Sequence, residues 1–220
     1  TRETLVSLSA LVPYFAFGLV SFPAMALLVL FALEPFQAGA YRHHIILAVL
    51  HTAFLGWGSA VALGSLQQLA PVVFGTELHS TNLARWVSIP YVIGVSSLVI
   101  GLIGLYPMLL VVGSVLVPAS VILTMVNVWL SQSRSSVQAA QRIRPFVRSA
   151  MFYFVLTVLA GAALAINLRT NWLGGYWLQV FPGHVTLGLI GWFGMLVLGI
   201  SYHLLPFFGL TDKKERPRLT

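Results

Sequence analysis

The segment HTAFLGWGSAVALGSLQQLAP, residues 51–71, decides the fold. It carries no formal charge, and a helix needs about 20 mostly apolar residues to cross hydrocarbon. Yet it opens on a histidine and continues with small residues. A second segment, HVTLGLIGWFGMLVLGISYHLLP, residues 184–206, follows the same pattern. Gly56, Trp57, Gly64 and Pro71 match Gly191, Trp192, Gly199 and Pro206, all at one constant offset without a gap.

Working outward, 58% of the 220 residues are hydrophobic and 8% are charged. Soluble domains carry roughly a quarter charged residues, so polar side chains are too few here to coat a water-facing globule. No alternating ten-residue pattern points to a barrel. The expected fold is all-α: a polytopic membrane helix bundle forming a single domain over 1–220. Charge-free windows and turn residues place six helices near 4–33, 45–74, 87–105, 108–131, 149–168 and 184–208, with Tyr106-Pro107 as the turn between the third and fourth. Pro13 and Pro23 are kinks that membrane helices tolerate. The first apolar run lacks a small-residue cleavage site and reads as a retained helix.

Lys and Arg set the expected orientation. With the N-terminus cytoplasmic, ten of the twelve fall inside: Arg2, Arg85, Arg134, Arg142, Arg144, Arg148, Lys213, Lys214, Arg216 and Arg218. Arg42 and Arg169 remain outside. Both termini are therefore expected in the cytoplasm, in a multi-pass protein of the cell's inner membrane. The net charge of +7 is read as orienting the chain in the lipid bilayer, with no nucleic-acid partner. With no cysteine, disulfides, thiolate metal sites and covalent c-type haem attachment are excluded. The loop 131–148 reads as a solvated connector, and the aromatic run 169–183 as a headgroup anchor. Glycines in the second and third helices read as packing faces.

Ionisable residues inside a membrane segment are functional candidates. His43 and His44 sit at the outer mouth of the second helix, and His79 lies in an inner loop. His51 and His184 are different, because helices running in the same direction place them at nearly equal depth. At about 100° per residue, the face below His51 carries Leu55, Gly58, Ala62 and Ser65, and the face below His184 carries Gly188, Gly191 and Met195. Each imidazole tops a stripe of reduced bulk, which suits a flat macrocycle held edge-on; axial imidazole is a standard haem ligand. His203 lies about 28 Å deeper than His184 at 1.5 Å per residue and cannot share its iron. Gln67, Gln68 and Asn127 share that inner depth.

The run H-T-x-x-x-G-W-G, with Gly64 and Pro71, resembles the second helix of subunit I of haem–copper oxidases and nitric oxide reductases. The run G-H-V-T-L-G-L-I-G-W through Y-H-L-L-P resembles the later helix of that family, which carries a His-x-His pair. The likeness covers two blocks, about 50 of the 220 residues. It implies that His51 is the low-spin haem ligand and that His184 is the first histidine of the pair, with Thr186 standing where the second belongs. In the family that second histidine shares the iron, so either His184 has taken over the role or His44 partners His51. Helices three to five carry no histidine, which argues against an oxygen-reducing copper centre.

The expected function is a short relative of this group: a b-type cytochrome-like protein holding one or more haem b groups through His51 and His184. It would move electrons within a respiratory-type complex, as a haem-binding subunit of an oxidoreductase. Arg42, Arg169 and Trp172 are the candidate partners of the haem propionates, and His44 and His203 the alternative metal ligands. A second copy or other membrane subunits would complete the site, with a quinol or periplasmic electron donor. The alternative expectation is a copper- or zinc-binding transporter or assembly factor without redox chemistry, since neutral imidazole suits those metals too.

Overall fold

The computed structural model describes residues 8–208, and the side chains of 69–71, 138–139, 203 and 206–208 are outside that description. Arg2, Lys213, Lys214, Arg216 and Arg218 therefore lie outside the described residues, as do both termini and the His203 and Pro206 side chains.

The described chain is helical, with six helices long and apolar enough to cross a membrane. They are α1 (Leu8–Gln37), α2 (His44–Phe74), α3 (Thr81–Gly104), α4 (Pro107–Ser133), α5 (Arg144–Thr170) and α6 (177–208). Several run past the charge-free windows. α1 continues through Glu34 and Pro35, α3 begins before Arg85, α5 takes in Arg144 and Arg148, and α6 begins at Trp177 rather than at His184. Long basic side chains allow this, because the stem lies along apolar surface while the head reaches a polar partner. Arg148 lies 4.2 Å over the Trp129 ring and donates to Ser133 Oγ at 3.2 Å. Arg144 donates to the Ser135 carbonyl at 3.1 Å.

Local chemistry sets the breaks. Ser80 caps α3 by accepting the Leu83 N–H at 3.1 Å. Asn127 of α4 clamps the same residue, accepting the Ser80 N–H and donating to the Ser80 carbonyl, both at 2.9 Å. Pro107 opens α4 at a position where its missing N–H costs nothing.

A core cluster draws on all six helices, among them Tyr14, Leu63, Tyr91, Val121, Phe154 and Trp192. α1 packs on α2 and α3, α3 on α4, α4 on α5, and α5 on α6; α2 also meets α3 and α4. Outward, large apolar side chains such as Leu19, Phe31 and Met108 are exposed.

The internal repeat spans a complete helical hairpin, α1–α2 against α5–α6. Gly39 and Gly174, related by the same sequence offset, both take a positive φ in the hairpin turns, 71° and 50°, where a side chain is strained. Within α2 the stretch Thr52–Ser59 is π-helical, and within α6 so is Leu187–Gly194. These two stretches begin and end at equivalent positions of the repeat. A Cβ on Gly56 would stand 2.7 Å from Ser21 Oγ of α1, and one on Gly191 2.6 Å from Tyr153 Cβ of α5. The repeated glycines thus seat each π-helical stretch on the preceding helix of its hairpin.

Gly191→Ala should therefore overpack the α5–α6 contact and cost about 1–3 kcal/mol. Thermal unfolding in detergent checks this, with a lowered Tm expected. Gly175→Ala, where an added Cβ meets nothing within 4 Å, should leave Tm unchanged.

Candidate functional site

His51 is the last residue before the π-helical stretch of α2, and His184 lies just ahead of the one in α6. The fold brings the two rings together, with centroids 6.1 Å apart and planes inclined by 15°. Each ring is held through Nδ1 by a backbone carbonyl. His51 Nδ1 lies 2.7 Å from the Leu47 oxygen, one turn back, and His184 Nδ1 lies 2.9 Å from the Thr157 oxygen of α5. A carbonyl oxygen only accepts, so the neutral imidazole must carry its proton on Nδ1. Both Nε2 atoms then keep their lone pairs, the arrangement in which a second hydrogen bond fixes tautomer and ring orientation for metal ligation.

Gly161 of α5 makes room for the second ring. A Cβ there would stand 2.8 Å from His184 Cε1. Thr157 and Gly161 are one turn apart on α5, so one supplies the anchoring carbonyl and the other the clearance. Neither stands out in the sequence, because α5 carries no histidine and a carbonyl and a missing methyl leave no side-chain signature.

Both imidazoles line a cavity of about 200 Å³ that is open on one side. α2, α5 and α6 form most of its wall, with Leu98 from α3 and Ser114, Val117 and Pro118 from α4. At its deeper end Trp192 stacks on Phe154, centroids 4.2 Å apart, and its Nε1–H donates to Ser59 Oγ at 3.0 Å. Polar side chains in the wall are turned to the protein: Thr157 and Ser114 each donate their hydroxyl to the carbonyl one turn back, at 2.7 Å. The wall is therefore apolar apart from the imidazoles.

Only part of the expected glycine stripe faces this space. Gly188 lines the cavity, whereas Gly58, Ala62 and Gly191 do not. An added Cβ on Gly58 would meet Phe193, and one on Gly191 would meet Tyr153. The π-helical stretches explain the difference. Their i→i+5 bonds widen the turn, so residues four apart, rather than three or four in alternation, stay on one face. His51, Leu55 and Ser59 line the cavity from α2, and His184, Gly188 and Trp192 from α6. Ala60 N–H bonds the Leu55 carbonyl, the i→i+5 signature, and the Tyr91 hydroxyl donates to the same oxygen at 2.8 Å.

Arg42 lies 5.0 Å over the Trp177 ring and 5.5 Å over the Phe181 ring; Phe181 lines the cavity. Its guanidinium therefore stands near one end of the cavity. Arg169 is exposed in the last turn of α5, and Trp172 donates to the Ala163 carbonyl at 3.3 Å; neither lines the cavity. His44 Nδ1 bonds the Leu102 carbonyl at 2.9 Å, off the cavity, and His43 caps α2 by accepting the Ile45 N–H. Thr186 is exposed and does not line the cavity. Among the described residues, no three His, Cys, Asp or Glu side chains gather to hold a metal ion.

No family model, curated protein or solved structure matches the chain.

The tautomer assignment is directly measurable. In ¹⁵N-histidine spectra of the protein without added cofactor, His51 and His184 should show a protonated Nδ1 and a bare Nε2. Protonated Nε2 on either ring would sink the assignment.

Proposed function

We propose that the chain is a multi-pass membrane haem protein that holds a b-type haem between His51 and His184 and takes part in electron transfer. The observation that carries this reading is the imidazole pair, 6.1 Å apart with Nδ1 of each ring committed to a carbonyl. At a metal–nitrogen distance of about 2.0 Å, a separation of 6.1 Å would leave room for one metal ion between the two rings. Two imidazoles are fewer than the three or four protein ligands that a zinc site takes. They suffice where a macrocycle supplies four nitrogens and leaves two axial positions. The haem reading is therefore better supported than a zinc site.

The chain's own residues have distinct tasks. The Leu47 and Thr157 carbonyls hold the rings in the ligating tautomer, and Gly161 admits the His184 ring. Phe154, Val158, Leu55 and Trp192 exclude water. Arg42 suits a carboxylate at the end of the cavity near Phe181, so the propionates belong on that side. Bound there, haem iron supplies one-electron redox chemistry, tuned by its axial ligands and by burial.

The distribution of Lys and Arg supports an orientation with both termini and the arginine-rich α4–α5 loop in the cytoplasm. The Arg42 end, and with it the haem, then lies toward the outer face of the inner membrane. The electron donor is a quinol or a periplasmic carrier, and the acceptor another membrane subunit or a second copy. Resemblance to haem–copper oxidase subunit I supports the same assignment, with His184 in place of the missing second histidine of the His-x-His pair.

A reduced-minus-oxidised visible spectrum of the purified protein should show sharp α and Soret bands. His51→Ala and His184→Ala should each abolish them, while His44→Ala should leave them unchanged. Gly161→Ala, which acts only through the ring it displaces, should weaken haem retention about 10–100-fold. A full spectrum in His51→Ala, or bound zinc or copper without haem bands, would overturn the reading.

A further inference from the structure

The cavity's wall is exposed along one seam. Of its lining residues, Leu50 and Phe54 of α2 and Val185 and Leu189 of α6 are the exposed ones, at 41%, 40%, 40% and 43%. They are two repeat-equivalent pairs, since Leu50 corresponds to Val185 and Phe54 to Leu189 at the offset of the repeat. Within each helix the two are one turn apart, so each helix contributes one exposed pair to the opening. From the start of α2 at His44, Leu50 and Phe54 lie about 9 and 15 Å along the axis at 1.5 Å per residue. That depth is inside a hydrocarbon layer about 30 Å thick, away from either aqueous face. One edge of the opening is closed by Phe54 against Phe193, ring centroids 5.8 Å apart.

We infer that this seam is a lateral portal through which an apolar ring system dissolved in lipid reaches the two-histidine cavity from the bilayer core. The chemistry of the walls selects for that class. Ser114 and Thr157 spend their hydroxyl protons on backbone carbonyls and Ser59 Oγ is taken up by Trp192. Apart from the imidazoles the entrant therefore meets apolar surface, and four apolar lips line its path. The inference rests on the membrane reading above but not on the iron. The route is assigned to an apolar ring that reaches the cavity without iron; a haem, with its two carboxylates, is outside that class.

The test is photolabelling of the haem-free protein in lipid vesicles with 3-trifluoromethyl-3-phenyldiazirine, a small lipid-soluble aromatic probe, mapped residue by residue. Val158 lines the cavity and its neighbour Leu159 is exposed on the outer surface, so one helix carries both signal and control. Label is expected at both. Leu50→Trp with Val185→Trp, which narrows the portal, should reduce labelling at Phe154 and Val158 at least fivefold and leave Leu159 and Leu19 unchanged. Should the double tryptophan variant fail to fold, Leu50→Cys/Val185→Cys serves instead, since the chain has no other cysteine. Labelling is then compared before and after closing the pair with a short bifunctional maleimide. Labelling at Val158 that persists within twofold after closure, or that aqueous glutathione quenches, would overturn the portal. Labelling is read on the haem-free protein, so loss of the haem bands and failure of the portal are separate outcomes.

Discussion

His51 sits where a regular helix gives way to a wider turn and His184 three residues ahead of one, and that change of pitch governs what lies below them. In an α-helix, side chains four apart drift round the axis, and a face is kept only by alternating steps of three and four. A π-helical stretch slows the drift. Leu55 and Ser59 stay under His51, and Gly188 and Trp192 stay under His184. The wide turn is costly in isolation, and here it is supported from two sides. Ser21 and Tyr153 pack against the repeated glycines, Gly56 and Gly191, while the Tyr91 hydroxyl takes the second lone pair of the Leu55 carbonyl. Without the wide turns, the wall below the imidazoles would be made of different residues.

The same constraint shows how far the sequence could be read. Apolar runs, turn residues and sparse charge were enough for six helices, because each of those signals acts locally. Helix ends were harder: Arg144 and Arg148 lie inside α5, since a long basic side chain near an end can lie along the helix and still find a partner, and Glu34 is exposed near the end of α1. His51 and His184 were legible as a pair at matched depth. The glycine stripe was only partly legible, because a period of 3.6 places Gly58 and Gly191 where the actual turn places Ser59 and Trp192. Nothing in the composition of Thr52–Ser59 announces its pitch. Thr157 and Gly161 contribute a carbonyl and a missing methyl, neither of which has a side-chain signature.

The repeat is a scaffold for two unlike halves. Trp57 and Trp192 occupy equivalent positions, yet Trp57 is exposed and packs on Phe22 of α1, while Trp192 is buried between Phe154 and Ser59. The difference follows from what lies beyond each hairpin. α2 is backed by α1 and also meets α3 and α4, whereas the backbone of α6 is held mainly by α5. α6 therefore has room to face the cavity with Trp192, whose α2 counterpart Trp57 is exposed.

That asymmetry accounts for the two-residue mismatch between the histidines. The lips are equivalent, Leu50 with Val185 and Phe54 with Leu189. Inside them, α2 lines the cavity with His51 and Leu55, each one residue after a lip; α6 uses His184 and Gly188, each one residue before. On a helix the residues just before and just after a lip lie on opposite sides of it, about 100° away in each direction. Two helices running in the same direction, with equivalent lips facing one opening, must present opposite sides to the space between them. The position equivalent to His51 is Thr186, and that of Leu55 is Ile190; both are exposed. A histidine at 186 would stand on the outer surface of α6, so the facing position is 184, and the break in the repeat is the condition for two imidazoles to meet.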